Sequence, residues 1–138
     1  MNPTCAVLED RVAALEGGVG ALAVASGQAA SAVAIQNLAA NGDNIVASAH
    51  LYGGTYNLFK NVLSDMGIEV RFVDPADPNN FAEATDENTR AYYGEVLPNP
   101  SFEVFPISEV AEIGRPLGIP LIVAVSYTHL RAHETHLN

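Results

Sequence analysis

The sequence has little cysteine and few basic residues, and each shortage excludes a class of protein. A single cysteine, Cys5, among 138 residues excludes an internal disulfide framework and suits a reducing compartment. Six Lys and Arg against sixteen Asp and Glu give a net charge of −10, which argues against nucleic acid or an anionic membrane as partner. No apolar run approaches the roughly 20 residues of a membrane span, and no signal peptide is recognisable. We therefore expect a cytoplasmic protein.

What the sequence does contain is typical of a globular domain, because hydrophobic residues make up 49% of it. Segments with helical periodicity alternate with short apolar segments of strand character. The predicted helices are residues 5–16, 26–40, 56–66, 81–84 and 107–117. The predicted strands are residues 21–25, 44–49, 68–73, 90–96 and 119–125. This alternation predicts an α/β fold with a mostly parallel sheet flanked by helices.

The apolar residues of the predicted helices indicate which faces should be buried. One face of the first helix carries Val7, Leu8, Val12 and Leu15. The second helix carries Val33, Ile35 and Leu38, and the third carries Leu58, Phe59, Val62, Leu63 and Met66. We expect these faces to pack on the sheet. Pro116 falls in the last turn of the final helix and should shorten or distort it.

The turn at residues 26–28 has the composition of an anion site. Ser26 is a preferred N-cap residue, and Gly27 lets a ligand approach the backbone without meeting a Cβ atom. The N–H groups and the positive dipole end of a helix N-terminus attract anions such as phosphate. An ordinary turn between a strand and a helix explains the same residues, and on these residues alone it is the favoured interpretation.

Other turns of the predicted sheet should lie close to this one. In a parallel sheet the ligand lies outside the carboxyl ends of the strands. The turns at residues 26–27, 50–55, 74 and 97–99 all follow predicted strands. We therefore expect their polar and aromatic groups to converge on one edge, although turns are polar in most proteins.

Six motifs in a fixed order make the chain similar to a known family. They are Asn2-Pro3-Thr4, Leu15-Glu16-Gly17-Gly18, Ser26-Gly27-Gln28-Ala29-Ala30, Tyr52-Gly53-Gly54-Thr55, Glu95-Val96-Leu97-Pro98-Asn99-Pro100 and Gly118-Ile119-Pro120-Leu121-Ile122-Val123. In this order they resemble the pyridoxal-phosphate-dependent enzymes of cysteine and methionine metabolism. Within that family, residues 51–59 and 70–75 most resemble the O-acetylhomoserine sulfhydrylases. The resemblance covers residues 1–123, which it identifies as a partial large domain of fold type I that binds pyridoxal 5′-phosphate.

The resemblance also implies a role for each candidate site residue. The backbone at Gly27 and Gln28 would hold the cofactor phosphate at the helix N-terminus. Tyr52 would stack on the pyridine ring and assist proton transfer, as the one catalytic residue in this chain. Asn99 would hydrogen-bond the 3′ oxygen of the ring, and Glu95 would lie near its far edge. No metal site is implied.

The implied reaction is replacement at the γ carbon of O-acetyl-L-homoserine by sulfide or a thiol. Its products would be homocysteine or methionine, together with acetate. A cystathionine γ-synthase or γ-lyase type member is one alternative, and a non-catalytic remnant that binds pyridoxal phosphate or another phosphate is the other. The resemblance further implies a homo-oligomer, with active sites at subunit contacts, for the full-length parent.

Two departures from the family pattern bear on catalysis. The family has an aspartate after the Leu-Ile-Val segment, where this chain has Ala124, so the pyridinium nitrogen would lack its acidic partner. The only lysine is Lys60, which comes far too early to be the lysine that binds the cofactor covalently. The tyrosine and arginine that the family carries before its Asn-Pro-Thr motif are absent as well, so we interpret the chain as truncated at both ends and expect it to be inactive alone.

Residues 124–138 resemble nothing earlier in the chain or in the family. His129, His133 and His136 would share one helical face, as in a metal site, but residues 133–136 are one residue short of the metalloprotease pattern. We interpret this segment as a non-family tail that is disordered or artefactual, for example translated sequencing-adapter read-through.

Overall fold

The structure is a computed structural model that describes residues 2–126. Its helices are α1 (Pro3–Glu16), α2 (Gly27–Gln36), α3 (Gly53–Asn57), α4 (Asn79–Glu83) and α5 (Ile107–Gly114). Its strands are β1 (Asn44–Ser48), β2 (Glu69–Val73), β3 (Thr89–Glu95) and β4 (Leu121–Ala124). Helix α3 continues as a π-helical segment over Leu58–Leu63, and α5 continues as a 3-10 turn over Arg115–Leu117. Pro116 lies in that turn, so the predicted shortening of the last helix is confirmed.

The four strands form one parallel sheet in the order β2-β1-β3-β4. Strand β1 is central and buried along its whole length. Because every crossover between parallel strands carries a helix, both faces of such a sheet are covered. The predicted fold class, a mostly parallel α/β sheet flanked by helices, is therefore confirmed.

Each face of the sheet has its own hydrophobic core. On one face Ile45 and Ala47 of β1 pack with a cluster of buried side chains that comprises Ile35, Phe59, Leu63 and Tyr93. On the opposite face Val46 packs with a cluster that comprises Phe81, Tyr92, Phe105 and Val110. Successive residues of β1 thus serve alternate faces, as the pleat of a strand requires.

The predicted strand at residues 21–25 is wrong. This segment is an irregular connection in which Leu22 and Val24 are 68% and 39% exposed. A strand needs a neighbour for its N–H and C=O groups, and none of the four described strands lies beside it. The Ala23 N–H instead donates to the Glu9 carboxylate of α1 at 2.8 Å.

For several helices the prediction of which side chains are buried against the sheet is also wrong. Helix α1 has no buried residue, and Val7, Leu8 and Leu15 are 69%, 54% and 63% exposed. Others of the predicted core positions are partly exposed, namely Val33, Leu38, Val62 and Met66. The periodicity identified these helices correctly, but burial depends on what lies beside a helix. Within residues 2–126 no element covers the apolar face of α1.

At the amino end of the sheet, Asp86 connects three strands. Its carboxylate accepts a hydrogen bond from Asn44 of β1 (2.8 Å) and pairs with Arg71 of β2 (2.7 Å). The Thr89 hydroxyl of β3 accepts the Asp86 backbone N–H at 3.0 Å and donates to the Asn44 side-chain oxygen at 2.7 Å. The hydrogen bond from Asn44, followed by that from Arg71, lowers the pKa of Asp86 from 3.8 to about 2.

The low pKa of Asp86 predicts acid-sensitive stability. A carboxyl group whose pKa is depressed by folding stabilises the fold above its ordinary pKa of 3.8 and loses that contribution as the pH falls toward 2. In urea unfolding between about pH 5 and about pH 2, Asp86→Asn should flatten the pH dependence of the unfolding free energy. The exposed Asp65 supplies the charge-matched control, Asp65→Asn. Equal slopes for the wild type and Asp86→Asn would contradict the assignment.

Gly94 of β3 lies directly under the ring of Phe105, so an added Cβ atom would overlap that ring. We expect Gly94→Ala to lower the unfolding free energy by about 1–3 kcal/mol, because the core must shift to admit the methyl group. At the matched control Gly20→Ala a Cβ atom would meet nothing within 4 Å. Urea unfolding of both variants checks this, and equal stabilities would refute the overlap.

Candidate functional site: a cleft at the carboxyl edge of the sheet

A cleft of about 590 Å³ opens at the carboxyl edge of the sheet, beside the N-terminus of α2. All five residues predicted for the site line it, namely Gly27, Gln28, Tyr52, Glu95 and Asn99. They come from three separate turns. The turns that carry Tyr52 and Asn99 follow β1 and β3 at this edge, whereas the turn at residues 26–28 follows the irregular connection before α2. The predicted convergence at this edge is therefore confirmed for three of the four turns.

The first turn of α2 presents backbone N–H groups to the cleft. Ser26 is the N-cap, and its hydroxyl accepts a hydrogen bond from the Ala29 N–H at 3.1 Å. The N–H groups of Gly27 and Gln28 precede the first intrahelical bond and have no acceptor within the helix. A Cβ atom at Gly27 would meet nothing within 4 Å, so the space in front of this turn is open. The helix dipole adds partial positive charge at the same place.

Glu95 ends β3 and binds the turn that carries Tyr52. One carboxylate oxygen accepts the Tyr52 backbone N–H at 2.9 Å, and the other accepts the Thr55 hydroxyl at 2.8 Å. Thr55 in turn accepts a hydrogen bond from the Gln28 side-chain amide at 3.3 Å. Glu95 is 9% exposed and forms no ion pair in the part of the chain that the structure describes. Its charge is thus compensated by neutral donors.

The ring of Tyr52 stands at the wall of the cleft and is 53% exposed. It lies against Gly54, where an added Cβ atom would come 2.5 Å from Cε1 of the ring. The absence of a side chain at Gly54 therefore makes room for the ring.

Tyr93 and Ser31 also line the cleft, and neither residue belongs to one of the six motifs. Their hydroxyl groups are 2.9 Å apart, and Tyr93 is 1% exposed. Burial raises the pKa of the Tyr93 phenol, and the negative charge of Glu95 adds to the effect, so the phenol stays neutral. One signal was present, since Tyr93 precedes Glu95 by two residues and a strand places such residues on the same face.

Two residues of the turns that were predicted to converge, Asp74 and His50, lie outside the cleft lining. Asp74 does not line the cleft, and its carboxylate accepts the Ala76 N–H of its own loop at 2.9 Å. His50 lines a separate cavity of about 40 Å³ that it shares with Glu95 and Glu103. Its Nδ1 atom is 2.9 Å from a carboxylate oxygen of Glu103 but is not aligned for a hydrogen bond.

Of the two residues that depart from the family pattern, Ala124 lies at the cleft and Lys60 does not. Ala124 pairs with Glu95 in the sheet and lines the cleft. Lys60 lies outside the cleft lining, on the π-helical segment, with its ammonium group 5.5 Å from the centre of the Tyr56 ring.

The remaining sequence predictions concern the C-terminal residues and the membrane. The predicted boundary between residues 123 and 124 falls inside β4, and His129, His133 and His136 lie outside the described residues. Among residues 2–126 no cluster of three or more His, Cys, Asp or Glu could hold a metal ion. No described helix has the length and apolar character needed to cross a bilayer.

Comparison with known proteins identifies the family. The sequence profile of the Cys/Met metabolism PLP-dependent enzymes matches residues 1–129. The chain therefore belongs to this family.

Curated relatives narrow the resemblance within the family. The chain is 51% identical over 123 residues to the O-acetyl-L-homoserine sulfhydrylase of Leptospira meyeri. It is 52% identical over 122 residues to the homocysteine/cysteine synthase of Saccharomyces cerevisiae. These alignments cover 89% and 88% of this chain but 28% of each relative. The chain thus spans under a third of the length of the relatives that it matches.

Two solved structures share the fold of this chain. The O-acetylhomoserine sulfhydrylase of Wolinella succinogenes superposes with a TM-score of 0.89 at 39% identity, over 96% of this chain and 38% of that one. A Campylobacter jejuni protein described as an O-acetylhomoserine (thiol)-lyase superposes with a TM-score of 0.86 at 39% identity, over 88% of this chain and 30% of that one. That structure contains N′-pyridoxyl-lysine-5′-monophosphate.

The contact between Tyr52 and Gly54 predicts a local effect of substitution. Gly54→Ala should displace the Tyr52 ring, which is 53% exposed, and should leave the fold intact. Gly53→Ala is the matched control, because a Cβ atom there would meet nothing within 4 Å. In NMR spectra, the Tyr52 ring resonances should shift in Gly54→Ala and stay in place in Gly53→Ala. Unshifted resonances in Gly54→Ala would disprove the contact.

Proposed function

We propose that this chain is the part of an O-acetylhomoserine sulfhydrylase that binds pyridoxal 5′-phosphate. The observation that carries the proposal is the single cleft on which Gly27, Gln28, Tyr52, Glu95 and Asn99 converge. The chain belongs to the family whose motifs the segments around these residues resemble, and this supports the proposal. The relatives named as sulfhydrylases support the choice within that family.

The residues of the cleft fit a phosphorylated aromatic ring. A volume of about 590 Å³ is in the usual range for a small-molecule site. Two N–H groups at a helix N-terminus that have no acceptor within the helix, with open space at Gly27, suit a phosphate group. The Tyr52 ring offers an aromatic surface at the wall of the same cleft.

In this proposal each residue has a defined role, and Tyr52 has two. The N–H groups of Gly27 and Gln28 bind the phosphate, and the ring of Tyr52 stacks on the pyridine ring. The side-chain amide of Asn99 donates a hydrogen bond to the 3′ oxygen, while Glu95 lies near the far edge of the ring. The Tyr52 hydroxyl assists proton transfer as the catalytic group.

The proposed reaction is γ-replacement on O-acetyl-L-homoserine by sulfide or a thiol, which yields homocysteine or methionine and releases acetate. When bound, pyridoxal 5′-phosphate supplies the electron sink for carbanion chemistry at the amino acid. This chain contributes binding, ring orientation and the Tyr52 hydroxyl. Its single lysine, Lys60, lies away from the cleft lining, so the chain alone should not turn over substrate.

We propose a homo-oligomer for the whole protein and a cytoplasmic location, with no nucleic-acid or membrane partner. The exposed apolar face of α1 supports a contact with further protein. One cysteine and a charge of −10 support the location and the absence of anionic partners.

The division at residue 123 also stays a proposal, with residues 1–123 as the partial cofactor domain and 124–138 as a non-family tail. The alignments with relatives over 122 and 123 residues support it, whereas the family profile extends to residue 129. Long-read sequencing of the source gene across codon 123 tests it. An aspartate codon in place of Ala124 would support the proposal, and unchanged codons through Asn138 would contradict it.

The phosphate role of α2 can be tested by removing a single N–H group. Gly27→Pro removes one donor at the first helical position, where proline is well tolerated, and Gly27→Ala adds a Cβ atom but keeps the donor. We expect Gly27→Pro to bind pyridoxine 5′-phosphate about tenfold or more weakly than Gly27→Ala, because a hydrogen bond to a charged group is lost. Pyridoxine without phosphate should not distinguish the two variants. Isothermal titration measures both ligands, and equal affinities for the phosphate ester would reject the role.

The proposed reaction can be tested by transplanting the chain. Residues 2–123 would replace the matching segment of the Leptospira meyeri sulfhydrylase, with which the chain is 51% identical. We expect the chimera to release acetate and form homocysteine from O-acetyl-L-homoserine and sulfide. A folded chimera that binds the cofactor but prefers cysteine as the sulfur donor would favour the cystathionine γ-synthase type instead.

A further inference from the structure

We propose that Glu95 is a positioning residue that acts through the Tyr52 turn and not by contact with the bound ring. Its carboxylate fixes the backbone of Tyr52 and the side chain of Thr55, and so holds the Tyr52 ring at the cleft wall. The consequence for ligand binding rests on the proposed function, whereas the coupling between Glu95 and the Tyr52 turn can be tested without a ligand.

The Tyr52 ring cannot be held by burial, because 53% of the residue is exposed. Tyr52 is the N-cap of α3, but no side-chain bond caps that helix. Two glycines follow directly, and glycine leaves the backbone of the turn more conformational freedom than any other residue type would. Because the Tyr52 ring is exposed and two glycines follow Tyr52 in the chain, a contact from outside the turn is needed to keep the ring in one position.

Glu95 is suited to be that contact because it is itself fixed. It is 9% exposed, and it lies in a central strand with parallel neighbours on both sides. In the sheet it pairs with Ala124, and the next residue, Val96, donates to the Ala124 carbonyl at 3.0 Å. The sheet therefore positions the carboxylate independently of the turn that binds to it.

Both carboxylate oxygens are used by the turn. The Tyr52 N–H and the Thr55 hydroxyl approach different oxygens, at 2.9 and 2.8 Å, so the bridge spans the first turn of α3. Because the Thr55 hydroxyl donates to Glu95, its lone pairs face Gln28, whose side-chain amide donates to it at 3.3 Å. The hydrogen bonds thus join the N-terminus of α2 to the Tyr52 turn through Glu95 and Thr55.

The test compares two variants of the full chain by residue-resolved hydrogen exchange. Glu95→Gln keeps the shape of the side chain but removes the charge and leaves one acceptor oxygen in place of two, and Glu95→Leu removes both acceptors. We expect the Tyr52 amide to exchange about tenfold faster in Glu95→Gln and faster still in Glu95→Leu, because charge-assisted hydrogen bonds are about twice as strong as neutral ones. The exposed Glu109 gives the charge-matched control, Glu109→Gln, which should leave the Tyr52 amide unchanged. Amides of β1 report whether each variant is folded.

A second pair of variants keeps the test valid if a Glu95 variant does not fold. Thr55→Val removes the hydroxyl at nearly constant shape, and Thr55→Ser restores it. Exchange at Tyr52 should rise in the first variant and return toward the wild-type rate in the second. A merely structural role of residue 55 would not produce rescue by the hydroxyl alone.

Ligand titrations then separate positioning from direct contact. Pyridoxine and pyridoxine 5′-phosphate should both bind Glu95→Gln about tenfold more weakly, whereas inorganic phosphate should bind it as it binds the wild type. Unchanged exchange at Tyr52 in the folded Glu95 and Thr55→Val variants would overturn the proposal, even if affinity falls, since direct contact would then explain the loss. Faster exchange in a chain that binds neither pyridoxine compound would support the positioning role and reject the proposed function.

Discussion

One central strand, paired in parallel on both sides, determines where the rest of this chain lies. Strand β1 is buried along its length between β2 and β3, so helices must cover each of its faces. Because neighbouring strands run in the same direction, the turn after each one reaches the same edge. This arrangement brings residue 52 and residue 99 to one cleft although 47 positions separate them in sequence.

The local pattern of the sequence predicted most elements because helix and strand periodicity are local properties. It could not predict burial, which depends on neighbours. Helix α1 has the periodicity of a packed helix, yet Val7 and Leu15 are exposed because nothing among residues 2–126 covers them. The apolar segment at residues 21–25 likewise forms no strand, since a strand requires a partner.

The candidate site shows the same division between local and tertiary information. Gly27, Tyr52 and Asn99 could be predicted because they belong to short motifs that resemble those of a family. Thr55 and Tyr93 were missed because their part in the cleft depends on contacts with residues 40 and 62 positions away. The contacts of Glu95 also arise from the fold, because no sequence spacing predicts a carboxylate that binds a turn 43 residues earlier.

The two ends of the sheet use carboxylates in different ways. At the amino end Asp86 is compensated in part by the cationic, partly exposed Arg71, whereas at the carboxyl end the buried Glu95 is compensated by neutral donors. Dissolved ions screen exposed charge pairs strongly and buried contacts much less. Ionic strength should therefore weaken the connection among strands at the amino end and leave the geometry of the cleft nearly unaffected. Salt tolerance of the site and salt tolerance of the fold are thus separate properties of this molecule.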